Sequence, residues 1–507
     1  MNNINKRRFF LFAAPILALA IILGADLQPG NPAATATSAV ALWMAIWWIS
    51  ESVPLAITAL LPIALFPLLG VMNGKAVSGV YVNHIIFLFI GGMMVAFAMQ
   101  DWGLHKRIAL RVLSLFGKGP GTVLFGFMAS TAFLSMWISN TAATMMMVPV
   151  AVPIIASLSE QLRGDRSDKI ATGFLLAIAY SASIGGIASL IGSPPNLSFT
   201  RILAISFPQA PEISFANWMF FALPISLLMF AACWLLLYGM YVRRANHIQL
   251  DRSYFKEQYQ ALGRATREQK IISIAFSSMA LLWMFRSNIN LGFISIPGWS
   301  NIFANPKFFN DGTVAVAVAL CLFIIPSSKG GKPLLDEQVF AKMPWHLILL
   351  FGGGFALASG FVESGLSVYL AEQLKGLSGI PPLLVIACIC LLITFLTELS
   401  SNTATTEMFL PILAAMAVAL EVNPLLLMIP ATLSASCAFM LPVATPPNAI
   451  IFSTNQINVY QMAKTGITLN LVGVMIITIA SYYLIPLVFD FTLTELPAWA
   501  TMVGAHH

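Results

Sequence analysis

The 507-residue chain is poor in charge: Asp, Glu, Lys and Arg make up 9% of it, against 58% hydrophobic residues. So few charges exclude an ordinary water-soluble domain, whose surface alone needs roughly a quarter to a third charged residues. Cysteine is sparse too. The five cysteines (Cys233, Cys321, Cys388, Cys390 and Cys437) lie in or beside apolar runs without metal-ligand spacing, so they read as small packing hydrophobes. Cys388 and Cys390 are too close along a helix for a useful disulfide. The glycine pairs lack a strand and a phosphate-loop lysine, no nucleophile–base pair is evident, and no basic stripe is interleaved with aromatics. These gaps argue against nucleotide binding, enzymatic catalysis and nucleic-acid binding. The longest polar stretch, about 244–269, is too short for the output domain of a membrane sensor.

What is present is apolar length. Several runs of about 17 to 29 residues are long enough to cross a bilayer as helices, which makes this an all-α polytopic membrane protein. The formal charge of +6 follows the membrane: Lys/Arg clusters at Lys6-Arg7-Arg8, Lys106 to Lys118, Arg163 to Lys169, Arg243 to Lys270 and Lys329 to Lys342 fall between apolar runs. The first 25 residues resemble a signal sequence, with an apolar stretch from Phe9 to Leu23. That stretch is long for a signal, and many spans follow, so it reads as an uncleaved first helix.

Taken in order with the basic clusters inside, the runs give about 11 transmembrane helices: about 9–25, 37–50, 53–71, 83–103, 170–204, 215–242, 271–290, 311–326, 344–361, 424–452 and 465–490. Two short amphipathic stretches, 104–118 and 364–376, read as surface helices. Segments 121–157 and 380–420 are too long for one span and carry polar residues at mid-length; if 121–157 crossed, the Arg163/Arg166/Lys169 loop and every later basic cluster would be inverted, so the charge bias favours re-entrant hairpins. With this threading 21 of 26 Lys/Arg residues are cytoplasmic; Lys75, Arg201, Arg286, Lys307 and Lys375 are not. The N-terminus then lies in the cytoplasm and the C-terminus outside.

The chain also repeats. Phe133-Leu134-Ser135-x-x-x-Ser139-Asn140-Thr141-Ala142-x-Thr144 returns as Phe395-Leu396-Thr397-x-x-x-Ser401-Asn402-Thr403-Ala404-x-Thr406, with Pro149 and Pro411 each five residues on. Asn402 follows Asn140 by 262 residues, and at the same offset Asn83–Gly92 aligns with Trp345–Gly354 and Asp101–Leu104 with Glu363–Leu366. An odd number of crossings separates the copies, so they face opposite ways, the inverted-topology pattern of secondary transporters. The chain divides into a first helix and loop (1–36), inverted repeat 1 (37–243), a basic cytoplasmic linker (244–270), inverted repeat 2 (271–493) and a tail (494–507).

Each hairpin is followed by a helix with a double proline, Gly192-Ser193-Pro194-Pro195-Asn196 and Ala444-Thr445-Pro446-Pro447-Asn448. Two prolines inside a helix unwind it and free carbonyls and amides near the bilayer midplane. Freed carbonyls and hydroxyl oxygens suit a hard monovalent cation such as Na⁺, while amides at a new helix start, with Asn and Thr side chains, suit a carboxylate or another anion. A single Ser-Asn-Thr would equally be an ordinary helix cap; two copies, each paired with a Pro-Pro break, point to a site. Glu398 reads either as a field biasing the site toward cations or as a hydrogen-bonded strut, and Arg201 as snorkelling to the outer surface. Glu407 lies close to the unwound regions in sequence, and His84 and His346 read as structural residues at matched helix starts.

With these hairpins, breaks and Trp47-Trp48-x-x-Glu51-x-Val53-Pro54-Leu55, essentially the whole chain resembles the divalent-anion:sodium symporter family. The resemblance implies an elevator-type homodimer in a bacterial inner membrane, in which the hairpins and four helices (170–204, 215–242, 424–452, 465–490) move against a scaffold of the other seven. It implies one Na⁺ site at Ser135, Ser139, Asn140 and the Gly192 carbonyl, and another at Thr397, Ser400, Asn402 and the Ala444 carbonyl. Substrate carboxylates would meet Asn140, Thr141, Ser193, Ser401, Asn402, Thr403 and Thr445. Both Ser-Asn-Thr copies are intact, as in the carboxylate carriers, and the hairpin tips lack the Lys or Arg that stands in for an ion in sodium-independent exchangers. The implied function is Na⁺-coupled uptake of C4-dicarboxylates (succinate, malate, fumarate). A dicarboxylate exchanger, a carrier of citrate, sulfate or another oxyanion, and an anion channel are the alternatives.

Overall fold

A computed structural model describes residues 3–500 apart from 117–118, 162–164, 246–252, 291–294, 329, 378, 492 and 494. Lys118, Arg163 and Lys329 of the basic clusters, residues 246–252 of the linker and most of the tail therefore lie outside the described residues. The fold is helical; the described strands are one antiparallel pair of two residues each, Ile289–Asn290 with Ser295–Ile296. Among the described residues, eight helices are long and apolar enough to cross a membrane, beginning with Arg7–Gly24 and ending with Val459–Phe489.

Both hairpins form. The first joins Pro120–Ser135 to Asn140–Gln161, the second Pro382–Thr397 to Asn402–Ala419. Both double-proline helices break where expected: Asp165–Ile187 resumes as Pro194–Ser206, and Leu425–Ala435 resumes as Pro446–Phe452. Proline at the first helical turn forfeits no hydrogen bond, so the same residues that stop one helix start the next. The surface helices Leu104–Leu113 and Leu366–Leu374 each follow a glycine in the left-handed region, Gly103 at φ 68° and Gly365 at φ 72°. Those glycines occupy matched repeat positions, and only a residue without Cβ turns the chain there without strain.

One expected span differs. The run at 53–71 forms two short helices, Leu55–Thr58 and Leu61–Leu68, because Pro54, Pro62 and Pro67 interrupt the ladder. A further short helix, Gly74–Tyr81, precedes the helix His84–Asp101. These short pieces pack with Pro32–Ser50 and Trp345–Glu363 into a small apolar cluster of their own, around Met44, Trp48, Phe66, Tyr81, Leu350 and Phe361.

The glycine pairs are explained by close approach. A Cβ on Gly91 would strike Ala315, and one on Gly353 would strike Ala59, so the helices His84–Asp101 and Trp345–Glu363 seat their neighbours backbone to backbone. The His84–Asp101 helix accordingly packs along Asp311–Ile324.

A charge cluster with a buried Arg286–Asp311 pair and an exposed Glu212 ties elements together. Arg286, 3% exposed, reaches Asp311 Oδ1 and Glu212 Oε1 at 2.6 Å each and the Phe309 carbonyl at 2.8 Å. Asp311 accepts in turn from the Phe215 backbone N–H at 3.0 Å. Removing one partner of a buried pair leaves the other charge uncompensated. Arg286→Ala should therefore destabilise the fold by about 3–5 kcal/mol, read as a lowered midpoint in a thermal unfolding assay of the purified protein.

Candidate functional site

The tip of the first hairpin is an oxygen-lined turn. Ser135, fully buried, faces the Asn140 side chain at 2.5 Å. With its nitrogen turned toward the surrounding oxygens, the Asn140 amide reaches the Gly192 and Ala182 carbonyls at 3.1 Å each. Ser139 caps the second arm by accepting from the Ala142 N–H at 3.2 Å, and Thr144 donates to the Asn140 carbonyl at 2.9 Å. Gly186 makes room for this arrangement: a Cβ there would lie 2.5 Å from the Asn140 side-chain amide and 2.9 Å from the Gly192 oxygen.

The second tip repeats the design. Thr397 donates to Asn402 Oδ1 at 2.7 Å and contacts the Ala435 carbonyl at 2.8 Å; Thr406 donates to the Asn402 carbonyl at 2.8 Å. Ser400 pairs with Thr405 Oγ1 at 2.6 Å. Thr397 meets the Ala435 carbonyl, beside the break, and Ala444 is buried nine residues further on. Ala182 and Ala435 are the oxygens that sequence reasoning missed; each lies on the helix half before a break, and no motif marks it.

Both breaks are held by their asparagines. Asn196 Nδ2 donates to the Gly186, Ile187 and Ser189 carbonyls at 3.1, 3.4 and 2.7 Å. Asn448 Nδ2 donates to Ala438 and Leu441 at 3.1 and 3.0 Å. The Oδ1 atoms of both asparagines are buried without a protein partner among the described residues. Matched, unspent acceptors in both halves fit a water or a cation.

The two halves meet. Ser193 and Ser436 share a hydrogen bond at 2.9 Å, both buried. Ser193 adjoins Gly192, which faces Asn140, and Ser436 adjoins Ala435, which faces Thr397 and so Asn402. The packing is reciprocal: Pro194–Ser206 lies against the second hairpin's arm Asn402–Ala419, and Pro446–Phe452 lies against the first hairpin's arm Asn140–Gln161. Ser139, Asn140, Thr141, Ser401 and Asn402 are half-buried, whereas Ser193, Thr403 and Thr445 are buried. Thr445 caps Asn448 at 3.3 Å. The helices that begin at Asn140, Pro194 and Asn402 start at this junction, where their N-terminal partial positive charge favours an anion.

Glu398 is the strut. Its Oε1 accepts from the Phe439 and Met440 N–H groups at 2.6 and 2.8 Å and from Asn470 Nδ2 at 2.8 Å, and its Oε2 from the Leu441 N–H at 3.1 Å. Met136 occupies its place in the first repeat, where Ser189 donates instead to the Met136 carbonyl. Arg201 is half-buried, and its Nε has no partner among the described residues. Glu398→Ala should strand four donors at about 1–3 kcal/mol each. The variant should unfold at lower temperature and lose amide hydrogen-exchange protection across 436–445.

Residues 6–489 match the family model described as the sodium:sulfate symporter transmembrane region. The chain is 40% identical over 464 residues to the sodium-dependent dicarboxylate transporter SdcS of Staphylococcus saprophyticus, covering 90% of this chain and 87% of that protein. It is also 40% identical over 466 residues, with the same coverage, to SdcS of Staphylococcus aureus strain MRSA252. Among solved structures, the fold is similar to that of the Alcanivorax borkumensis YdaH transporter, with TM-score 0.54 and 14% identity over 85% of this chain and 89% of that one. Neisseria gonorrhoeae MtrF gives 0.52 and 13% over 80% and 82%. At such identities the likeness is of fold alone. The family match spans both hairpins and both breaks, and this chain is therefore an integral membrane transporter of the sodium:sulfate symporter family, the divalent-anion:sodium symporters.

Proposed function

We propose that this chain imports C4-dicarboxylates such as succinate, malate or fumarate together with Na⁺. The observation that supports it most is the continuous link Asn140–Gly192–Ser193–Ser436–Ala435–Thr397–Asn402, which joins two oxygen-rich hairpin tips that carry no Lys or Arg in one place. The names of the staphylococcal relatives support the choice of ion and anion.

In this reading Ser135, Ser139, Asn140 and the Gly192 carbonyl take one Na⁺, and Thr397, Ser400, Asn402 and the Ala444 carbonyl take another, with Ala182 and Ala435 beside them. Asn140, Thr141, Ser193, Ser401, Asn402, Thr403 and Thr445 orient the carboxylates. Repeats 37–243 and 271–493 are inverted, the hairpins move with the broken helices as one body, and the rest forms a scaffold and homodimer interface in the lipid. The protein sits in a bacterial inner membrane with its N-terminus in the cytoplasm and its C-terminus outside.

The energetics favour coupling. Importing a dianion against an inside-negative potential of ~100 mV costs about 4.6 kcal/mol, at ~2.3 kcal/mol per charge. More than two Na⁺ per dianion reverse the sign of the moving charge, and the potential then drives entry. Reconstituted protein should accumulate labelled succinate only with an inward Na⁺ gradient; uptake indifferent to Na⁺ overturns the coupling. Asn140→Ala and Asn402→Ala should each lower uptake by roughly a hundredfold or more while folded protein remains in the membrane, and near-normal uptake in both would refute the site.

A further inference from the structure

Glu407 is fully buried on the second hairpin's arm Asn402–Ala419. Its Oε1 accepts from the Ser198 hydroxyl, on the resumed helix Pro194–Ser206, and its Oε2 has no partner among the described residues. That free oxygen points at Gly354 of the helix Trp345–Glu363, whose missing side chain leaves the space it fills. The three helices pack on one another here, so the carboxyl sits in the seam where the hairpin meets a helix of the other group. At the corresponding place in the first repeat, Gly92 faces the apolar Ile191 instead.

The elements packed against Asn402–Ala419 are Pro194–Ser206, Trp345–Glu363, Leu366–Leu374, Pro382–Thr397, Leu425–Ala435 and Pro32–Ser50. Their titratable or charged residues are Arg201, His346, Glu363, Tyr369, Glu372, Cys388 and Cys390; Glu51, Lys375 and Glu398 follow three of these helices directly. Among the described residues none of these forms an ion pair or hydrogen bond with Glu407. Glu398 is spent on the break at 439–441. Burying an uncompensated carboxylate costs far more than burying a neutral acid. Among the described residues no group of three His, Cys, Asp or Glu stands ready for a metal ion here. A proton needs no more than one oxygen.

We propose that Glu407 is a proton-binding site set into the seam between the second hairpin and the helix Trp345–Glu363, and that the seam closes only with the proton in place. Resting on the reading of the hairpins as the moving body, this makes one carboxyl a checkpoint on that movement. When the helices part, water solvates the carboxylate and the proton leaves; when they close, it must return. Raising the pH removes the proton and so opposes closure, while a glutamine, neutral at every pH, cannot respond.

Infrared spectroscopy of the full-length protein in liposomes at neutral pH tests the site without transport. The wild type should show a carboxylic-acid carbonyl band that is missing from both Glu407→Gln and Glu407→Met, the latter keeping the volume without a carboxyl. Identical spectra would overturn the proposal. Sodium-driven uptake of labelled succinate, with equal pH on both sides, tests the coupling. The wild-type rate should fall roughly threefold or more between about pH 7 and pH 9 while that of Glu407→Gln stays flat. Parallel profiles would overturn the checkpoint. Should the wild type take up no succinate, the transport reading fails while the infrared result still decides the proton site.

Discussion

In hydrocarbon, every backbone group released from a helix must find a partner inside the protein. The two double-proline breaks release such groups at 188–193 and 436–445, and specific side chains satisfy them. Asn196 collects carbonyls before and within the first break and Asn448 two within the second, Trp218 donates to Ile187 O at 3.0 Å and Ser226 to Ile184 O at 2.7 Å, and Glu398 collects three amides of the longer second break. The carbonyls of Gly192 and Ala182, met by the Asn140 amide, and that of Ala435, met by Thr397, are therefore fixed in direction. A loosely held loop would offer the same atoms without the geometry.

The two halves solve the same problem at different cost. The first break spans six residues and is closed by a serine and a backbone carbonyl, Ser189 with Met136. The second spans ten and uses a buried carboxylate with Asn470 as a further donor. Duplication thus preserved the tips, Ser135 with Asn140 and Thr397 with Asn402, while the supports behind them diverged. Any two cation cages built on these tips share ligands by type and differ in rigidity.

What repeated in the sequence was legible there: the tips, the surface helices and the matched helices with their glycine pairs follow an offset of 262 residues, and the breaks repeat as Pro-Pro-Asn after each hairpin. Features made by tertiary contact were not. The span at 53–71 looked continuous by hydropathy, although its prolines divide it into pieces. Arg286 and Asp311 lie far from the motifs, and nothing in their neighbours shows that they pair in a buried cluster. Glu398 could be read as field or strut until its four donors were in place, because a carboxylate's role depends on which amides surround it. Ala182 and Ala435 contribute only main-chain oxygen, to which sequence is blind.

The absence of fixed positive charge is what makes sodium coupling physically sensible for the proposed function. The segments Phe133–Pro149 and Phe395–Pro411 contain no Lys or Arg, and their side chains at the junction are amides and hydroxyls. Such a site does not hold a dianion strongly at membrane depth, because dipoles alone replace the water of two carboxylates incompletely. Nor do a few neutral oxygens strongly retain a small cation beside low-dielectric surroundings. Each ligand lowers the electrostatic cost of the other, so the occupied states that matter are empty and fully loaded. A lysine at the tip would neutralise part of the dianion permanently, weaken the demand for cations and return through the membrane still charged. Coupling then follows from what the hairpins omit as much as from the oxygens they present.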